Sequence, residues 1–496
     1  MTHSQAPEVS PQAPVFVSEF CTPHARPFVL FAAILATALG LIDGHVVAIA
    51  LPAMRGSLDA SLIEAQWIHS AYMLTLSALI LVGGALGDRF GLSRIFSGGI
   101  TLFVVASVFC ALAPTAPMMI AARTVQGVGA AIMVPGSLAI IARAYPKQER
   151  GQAIAIWAAA AAITTALGPI LGGLTITFGG PEMWRIIFAI NLPLGGLALR
   201  VLWRKVGPAP APAPAPARDS VCIDLIGAST ATVALLMLTW GLTQTGQKDG
   251  YAGLWIIGGI LMFAGFLWTQ KHAAHPMMPL TLFTNRHFAA ANLMTFFQFG
   301  AIGMMFFFMP MVFIAGWGLS AIEASVVFAP MSVFISSLST RAGRLADKIG
   351  LAPILAGGSA LTALGYGLIG FLAPAQNLWG HILPAMCIVG LGMAAVVTPL
   401  STAVMGAVSE DQSGIASGIN NAVARMGALI AVAATAGLMA YLYDRSGGTG
   451  SFGVPSDTSS HAGAMTAAFR RLAFIATGLC LLSTGIAAVF MREPQR

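Results

Sequence analysis

Charge is scarce in this chain. Only 9% of its 496 residues are Asp, Glu, Lys or Arg, while 57% are hydrophobic and the mean hydropathy is +0.82. A soluble domain carries about 25% charged residues, and a single soluble core stops growing at roughly 250–300 residues. So little charge and so much apolar surface exclude a water-facing globule. Cysteine is sparse too: Cys21, Cys110, Cys222, Cys387 and Cys480 stand far apart, without metal or redox spacing, and read as packing residues. No phosphate-binding loop, metalloprotease helix motif or nucleophile elbow occurs. The chain therefore cannot pump by its own ATP hydrolysis, and neither an enzyme, a metal site nor a cofactor is expected. The net charge of +7 is dispersed singly between apolar runs, which argues for membrane orientation and against nucleic acid. Residues 1–27 lack the basic start and short apolar core of a cleaved signal and read as a retained tail.

What the chain has in abundance is long apolar runs. They recur from 28–52 to 469–491, each about 18–25 residues, enough to cross a hydrocarbon core of about 30 Å. Backbone in lipid must satisfy its own hydrogen bonds, so each run predicts a helix. The count is roughly fourteen, an all-α polytopic membrane protein. Of the Lys and Arg residues, only Arg55, Arg185, Lys248, Arg445, Arg470 and Arg471 fall on the side opposite the N-terminal tail, and Arg123 and Arg425 fall within spans. This bias of about three to one predicts that both termini are cytoplasmic. The divisions are a tail (1–27), a first bundle (28–205), a Pro/Ala-rich linker (206–222), two inserted spans (223–270), a loop (271–287), a second bundle (288–491) and a short tail (492–496).

The bundles repeat each other. Gly84-Ala-Leu-Gly87-Asp88-Arg89-Phe-Gly91 after span 2 is echoed by Gly343-Arg-Leu-Ala-Asp347-Lys-Ile-Gly350 after span 10. Gly127-Val-Gly129 ahead of Pro135 is echoed at almost the same interval by Gly390-Leu-Gly392 ahead of Pro399. Transporters are commonly built from such repeats, with the substrate site between them near the midplane.

These segments resemble the major facilitator superfamily, specifically its fourteen-helix drug:proton antiporter branch. Gly84 to Arg94 resembles its loop 2–3 motif, Arg123-Thr-Val-Gln126-Gly127-Val-Gly129 its helix 4 motif, and Gly168-Pro169-Ile-Leu-Gly172-Gly173 its helix 5 antiporter motif. Leu41-Ile-Asp43 through Pro52 is similar to the helix 1 motif, and Trp184-Arg185 through Pro193 to a further signature of the branch. His45 and Ala48 stand where the family has Thr and Asn, and Leu92 and Ser93 where it is more basic. The resemblance implies two six-helix bundles plus two inserted helices, with Arg123 tuning protonation near helix 1 and Asp88 holding the outward-facing state.

Among candidate site residues, Asp43 comes first. It lies about fifteen residues into span 1, roughly 22 Å along the helix, and an ionisable group at that depth needs a cavity or a partner. Arg123 is its natural partner, the alternative being an arginine that snorkels to the interface. Arg425 sits deep in span 13 beside Asn420 and Asn421, facing Asp43, backbone carbonyls or cargo. If all three cations and anions share the cavity, the surplus positive charge favours neutral or anionic cargo. His45 points away from Asp43 and is expected to hydrogen-bond another helix. Gln66, Trp67, Tyr72, Trp157, Thr164, Thr165 and Gln298 are possible cavity liners. Asp88, Arg89 and Asp347 are read as loop residues that gate through helix ends, with Gly84, Gly87, Gly91, Gly343 and Gly350 shaping those loops. Gly127, Gly168, Pro169 and Gly172 are read as packing or bending positions.

The expected function is proton-coupled efflux of lipophilic molecules by alternating access, in the bacterial inner membrane. Its partners are a small-molecule cargo, protons and the lipid bilayer, a periplasmic adaptor being left open. Export of an endogenous metabolite is the nearest alternative. A membrane receptor or intramembrane enzyme is more distant, since no soluble domain or paired catalytic residues are visible.

Overall fold

The computed structural model describes residues 21–205, 224–246, 250–409, 412–456 and 458–491. The Pro/Ala linker and the 492–496 tail lie outside the described residues, as do most of the N-terminal tail and the side chain of Asp88. Among the described residues, fourteen helices are long and apolar enough to span: α1 (Pro23–Ser57), α2 (Leu62–Phe90), α3 (Leu92–Leu112), α4 (Ala116–Ala144), α5 (Gln148–Gly179), α6 (Pro181–Arg204) and α7 (Leu225–Thr243). The rest are α8 (Ala252–His272), α9 (Arg286–Gly316), α10 (Ala321–Ile349), α11 (Leu351–Ala375), α12 (Leu378–Gly406), α13 (Ser413–Arg445) and α14 (Ser460–Phe490).

Helix ends differ most from expectation, because hydropathy marks where lipid begins and not where backbone hydrogen bonding stops. The expected span 28–52 runs five residues further at each end, and α14 starts well before residue 469. Asp88, Arg89 and Asp347 are not loop residues: α2 continues to Phe90 and α10 to Ile349. Nothing in Gly-Asp-Arg-Phe or Ala-Asp-Lys-Ile breaks a helix. The stop is the following glycine, and Gly91 and Gly350 share a positive φ of 96° and 92° that other residues avoid.

The repeat is visible in the packing. α4 lies against α2 and α3 as α12 lies against α10 and α11, and α1 pairs with α5 and α6 as α9 pairs with α13 and α14. The motif glycines make these approaches possible. A Cβ on Gly129 would sit 2.7 Å from Phe103 N and 3.0 Å from Gly99 O, and one on Gly392 would sit 2.6 Å from both Gly358 O and Thr362 N. Even the helix starts match. Ser61–Glu64 opens α2 and Ser320–Glu323 opens α10, each with a reciprocal capping box.

Three large apolar clusters define the shape. One crosses both halves at the end remote from the termini, joining Leu51, Met54 and Trp184 to Phe308, Phe313, Tyr443 and Phe469. At the terminus end there are two instead, one built almost wholly from α1–α6 residues such as Phe96 and Leu199, the other around Phe288 and Leu400. The halves therefore share one core at the welded end and keep two at the other, bridged by Leu81 of α2, which packs against both. The inserted α7 packs on α2 and α13, across the seam between halves, with Trp240 5.5 Å from Trp67.

Candidate functional site

Asp43 is buried in α1, inside the first bundle. Arg123 of α4 donates through Nη1 to its Oδ2, and neither side chain has exposed surface. Gln126, one turn on from Arg123 and on the same face, donates from Nε2 to Asp43 Oδ1 at 2.9 Å and to Ser107 Oγ at 2.8 Å. Its Oε1 accepts from Arg123 Nη1 at 2.6 Å. Arg123 Nε donates to Ile68 O at 3.1 Å, and Asn191 of α6 donates to Ser107 at 3.1 Å. The guanidinium lies 4.3 Å from the Tyr72 ring, a cation–π contact. This buried polar net joins α1, α2, α3, α4 and α6, and Arg123 does not snorkel. Both carboxylate oxygens accept hydrogen bonds from α4. Separating such a buried pair leaves an uncompensated charge, typically at a cost of about 3–5 kcal/mol.

The opposite face of α1 looks toward the second half. Among the described residues, His45 forms no hydrogen bond to another helix: its Nδ1 donates to Leu41 O of its own helix at 2.7 Å, because that carbonyl is one turn back and already within reach. Its ring meets Phe306 of α9 edge-on at 6.3 Å. His69 of α2 stands nearby against Phe307, with its Nδ1 buried and unpartnered. Arg425 of α13 joins neither Asp43 nor a backbone carbonyl. It makes no hydrogen bond or ion pair among the described residues, and its buried Nε has no partner.

Gln66, Tyr72 and Gln298 have no more than 1% accessible surface, so in this conformation they pack between helices and do not line open space. Gln66 Nε2 donates across the seam to Val432 O at 3.0 Å, Tyr72 hydroxyl to Gly40 O at 3.4 Å, and Gln298 to Met393 Sδ at 3.2 Å. Trp157 Nε1 donates to Thr37 at 2.8 Å, and the Thr164 and Thr165 hydroxyls bond to carbonyls of their own helix. Asn420 bonds Thr295 at 2.7 Å, whereas Asn421 is exposed. Gly168 and Gly172 bring α5 onto α1: their Cβ atoms would meet Ile42 Cα at 3.4 Å and Val46 Cγ2 at 2.7 Å. Asp347 and Arg89 are exposed.

Arg55, which the sequence offers only as a loop charge, locks the welded end. It is 2% exposed and donates to Ala60 O at 3.2 Å, to Phe452 O, and to Ser451 Oγ at 3.0 Å. The end of α1 is thus tied to the α13–α14 loop. Phe452 packs between Phe308 and Tyr443, and Tyr443 is bonded to His461 at 2.6 Å. Of the residues missed in the sequence, Gln126 and His69 carry a faint signal, each sitting three positions from a named candidate. Arg55 carries none.

Known proteins agree with this architecture. The family model described as Major Facilitator Superfamily matches residues 32–432. The chain is 31% identical to the methylenomycin A resistance protein of Bacillus subtilis, covering 80% of this chain and 84% of that protein. It is 32% identical to the multidrug resistance protein Stp of Mycobacterium tuberculosis, covering 82% and 75%. Among solved structures, a bacterial homologue of the human lysosomal transporter Spinster superposes with a TM-score of 0.66 at 16% identity, over 94% of this chain and 97% of that one.

Proposed function

The chain belongs to the major facilitator superfamily, and we propose that it is a proton-coupled exporter of lipophilic small molecules working by alternating access. It is a multi-pass transporter of the plasma membrane; the proposal concerns its coupling ion, direction and cargo. The observation that carries it is the occluded Asp43–Arg123 pair, Asp43 being the one carboxylate without exposed surface among the described residues. A proton arriving at Asp43 cancels its charge and frees Arg123 Nη1. α1 then loses the ionic part of its tie to α4, and α1 also supports α5 through Gly168 and Gly172 and presents His45 to α9. One protonation event thus reaches both halves.

With the termini cytoplasmic, as the Lys and Arg bias implies, the welded end is periplasmic and this conformer faces inward with Asp43 ionised. Cargo enters from the cytoplasm or inner leaflet, the far end opens, and an external proton at Asp43 accompanies cargo release. The return step carries the proton inward. The pH gradient supplies the energy, and cargo, protons and lipid are the only partners the cycle needs. Relatives named for antibiotic and multidrug resistance support the outward direction.

The test is accumulation of anionic, neutral and cationic lipophilic fluorophores in inverted vesicles under an imposed pH gradient, comparing wild type with Asp43→Asn and Asp43→Glu. Gradient-driven accumulation is expected in wild type, is expected to vanish in Asp43→Asn and to return in part in Asp43→Glu. Undiminished accumulation in Asp43→Asn removes this residue from coupling.

A further inference from the structure

Arg425 is a deep cation whose charge nothing among the described residues balances. It stands on one stripe of α13 with Gly418 and Asn421, at helical spacings of seven and four, and a Cβ on Gly418 would touch Leu81 of α2 at 2.8 Å. The stripe therefore faces the seam between halves. Arg425 lies within electrostatic reach of His45 on α1 and Tyr72 on α2, yet it keeps accessible surface, as His45 and His69 do. A residue surrounded by helices of both halves and still accessible lines internal space.

Among the described residues, no carboxylate is seen to neutralise it. Both oxygens of Asp43 are held by Arg123 and Gln126. In the second half, Glu323 closes the capping box on Ser320, while Asp347 and Asp444 are exposed at opposite helix ends. An unpaired guanidinium in a membrane interior is costly and is retained where a cavity or ligand meets it. Its planar fork matches an oxyanion and is a poor site for a cation. Asn421, a polar amide, shares its stripe, and His45, within its electrostatic reach, meets Phe306 edge-on, with Phe328 a further 4.5 Å from Phe306.

We propose that Arg425 anchors an anion-binding subsite in the central cavity, and that the cargo class is a lipophilic anion carrying a carboxylate- or sulfonate-like group on an aromatic body. This rests on the exporter reading for the word cargo, but the subsite itself does not require proton coupling. The oxyanion bonds Arg425, with Asn421 alongside, and the aromatic body lies against the rings of α1, α9 and α10.

The experiment measures binding to full-length purified protein and counterflow in proteoliposomes for three probes of one shape: naphthalenesulfonate, uncharged naphthalenesulfonamide and cationic naphthyltrimethylammonium. A charge-assisted hydrogen-bonded contact predicts that wild type prefers the sulfonate over the sulfonamide by about tenfold or more. Arg425→Gln is expected to abolish that ratio, Arg425→Lys to keep part of it, and Arg425→Glu to turn the preference to the cation. Size-exclusion elution confirms that each variant is folded. If Arg425→Gln does not fold, the wild-type ratio and the Arg425→Lys and Arg425→Glu preferences decide. A wild type without anion preference, or Arg425→Gln with the preference intact, overturns the subsite. Failure of the exporter reading looks different: anion-selective binding persists, but no probe moves in response to a pH gradient.

Discussion

Two arginines at similar depth have opposite fates, and the difference lies in what each can reach. Arg123 finds a carboxylate, an amide, a backbone carbonyl and an aromatic face, all within the first bundle. Arg425 finds none of these. The sequence pairs Asp43 with Arg123, because few ionisable residues lie so deep and each needs a partner. It could not tell a residue packed between helices from one lining a cavity, so Gln66, Tyr72 and Gln298 read as liners although they have almost no accessible surface. In a soluble protein an apolar–polar period separates those cases; where lipid and core are equally apolar the period fades. The Asp43–Arg123 pair predicts a double-mutant cycle. Arg123→Ala alone should lower stability in detergent by about 3–5 kcal/mol by stranding a buried carboxylate, and adding Asp43→Asn should restore much of it. Thermal unfolding of the three variants measures this, and additive losses would contradict the pairing.

At the scale of elements, the duplicated glycines were legible as a repeat before their purpose was. Their purpose is interhelical approach: Gly129 against Gly99 and Phe103, Gly392 against Gly358 and Thr362. Gly129→Ala and Gly392→Ala should therefore each abolish monodisperse protein on size exclusion. Gly84→Ala should not, since a Cβ there meets nothing within 4 Å. Loss of folded protein in Gly84→Ala would mean that the loop 2–3 motif serves folding. Helix ends were the least legible feature. Apolar runs stop at the edge of lipid, whereas α2 and α10 carry on until Gly91 and Gly350 turn the chain. The paired capping boxes at Ser61 and Ser320 are a repeat signal in polar residues that hydropathy passes over.

For the whole molecule, the asymmetry between one apolar cluster at the welded end and two at the other defines the state. The seal depends on contacts between residues far apart in sequence, such as Arg55 with Ser451 and Phe452, and no local pattern announces them. Arg55→Ala removes charge-assisted hydrogen bonds that exist only while this end is shut. It should shift the population toward the conformer open there by about tenfold. Alkylation of Leu58→Cys in a background free of native cysteine reads this: the rate should rise with Arg55→Ala, and an unchanged rate would show that the apolar cluster alone holds the seal.

The central claim, that a proton and cargo exchange through Asp43, is tested most directly by driving the cycle backward. Proteoliposomes holding a pH-sensitive dye are given naphthalenesulfonate outside, with membrane potential clamped. Wild type should admit the sulfonate and expel protons, raising lumenal pH, while Asp43→Asn should give no pH change. A rise of equal size in Asp43→Asn, or sulfonate entry in wild type with lumenal pH steady or falling, contradicts the account.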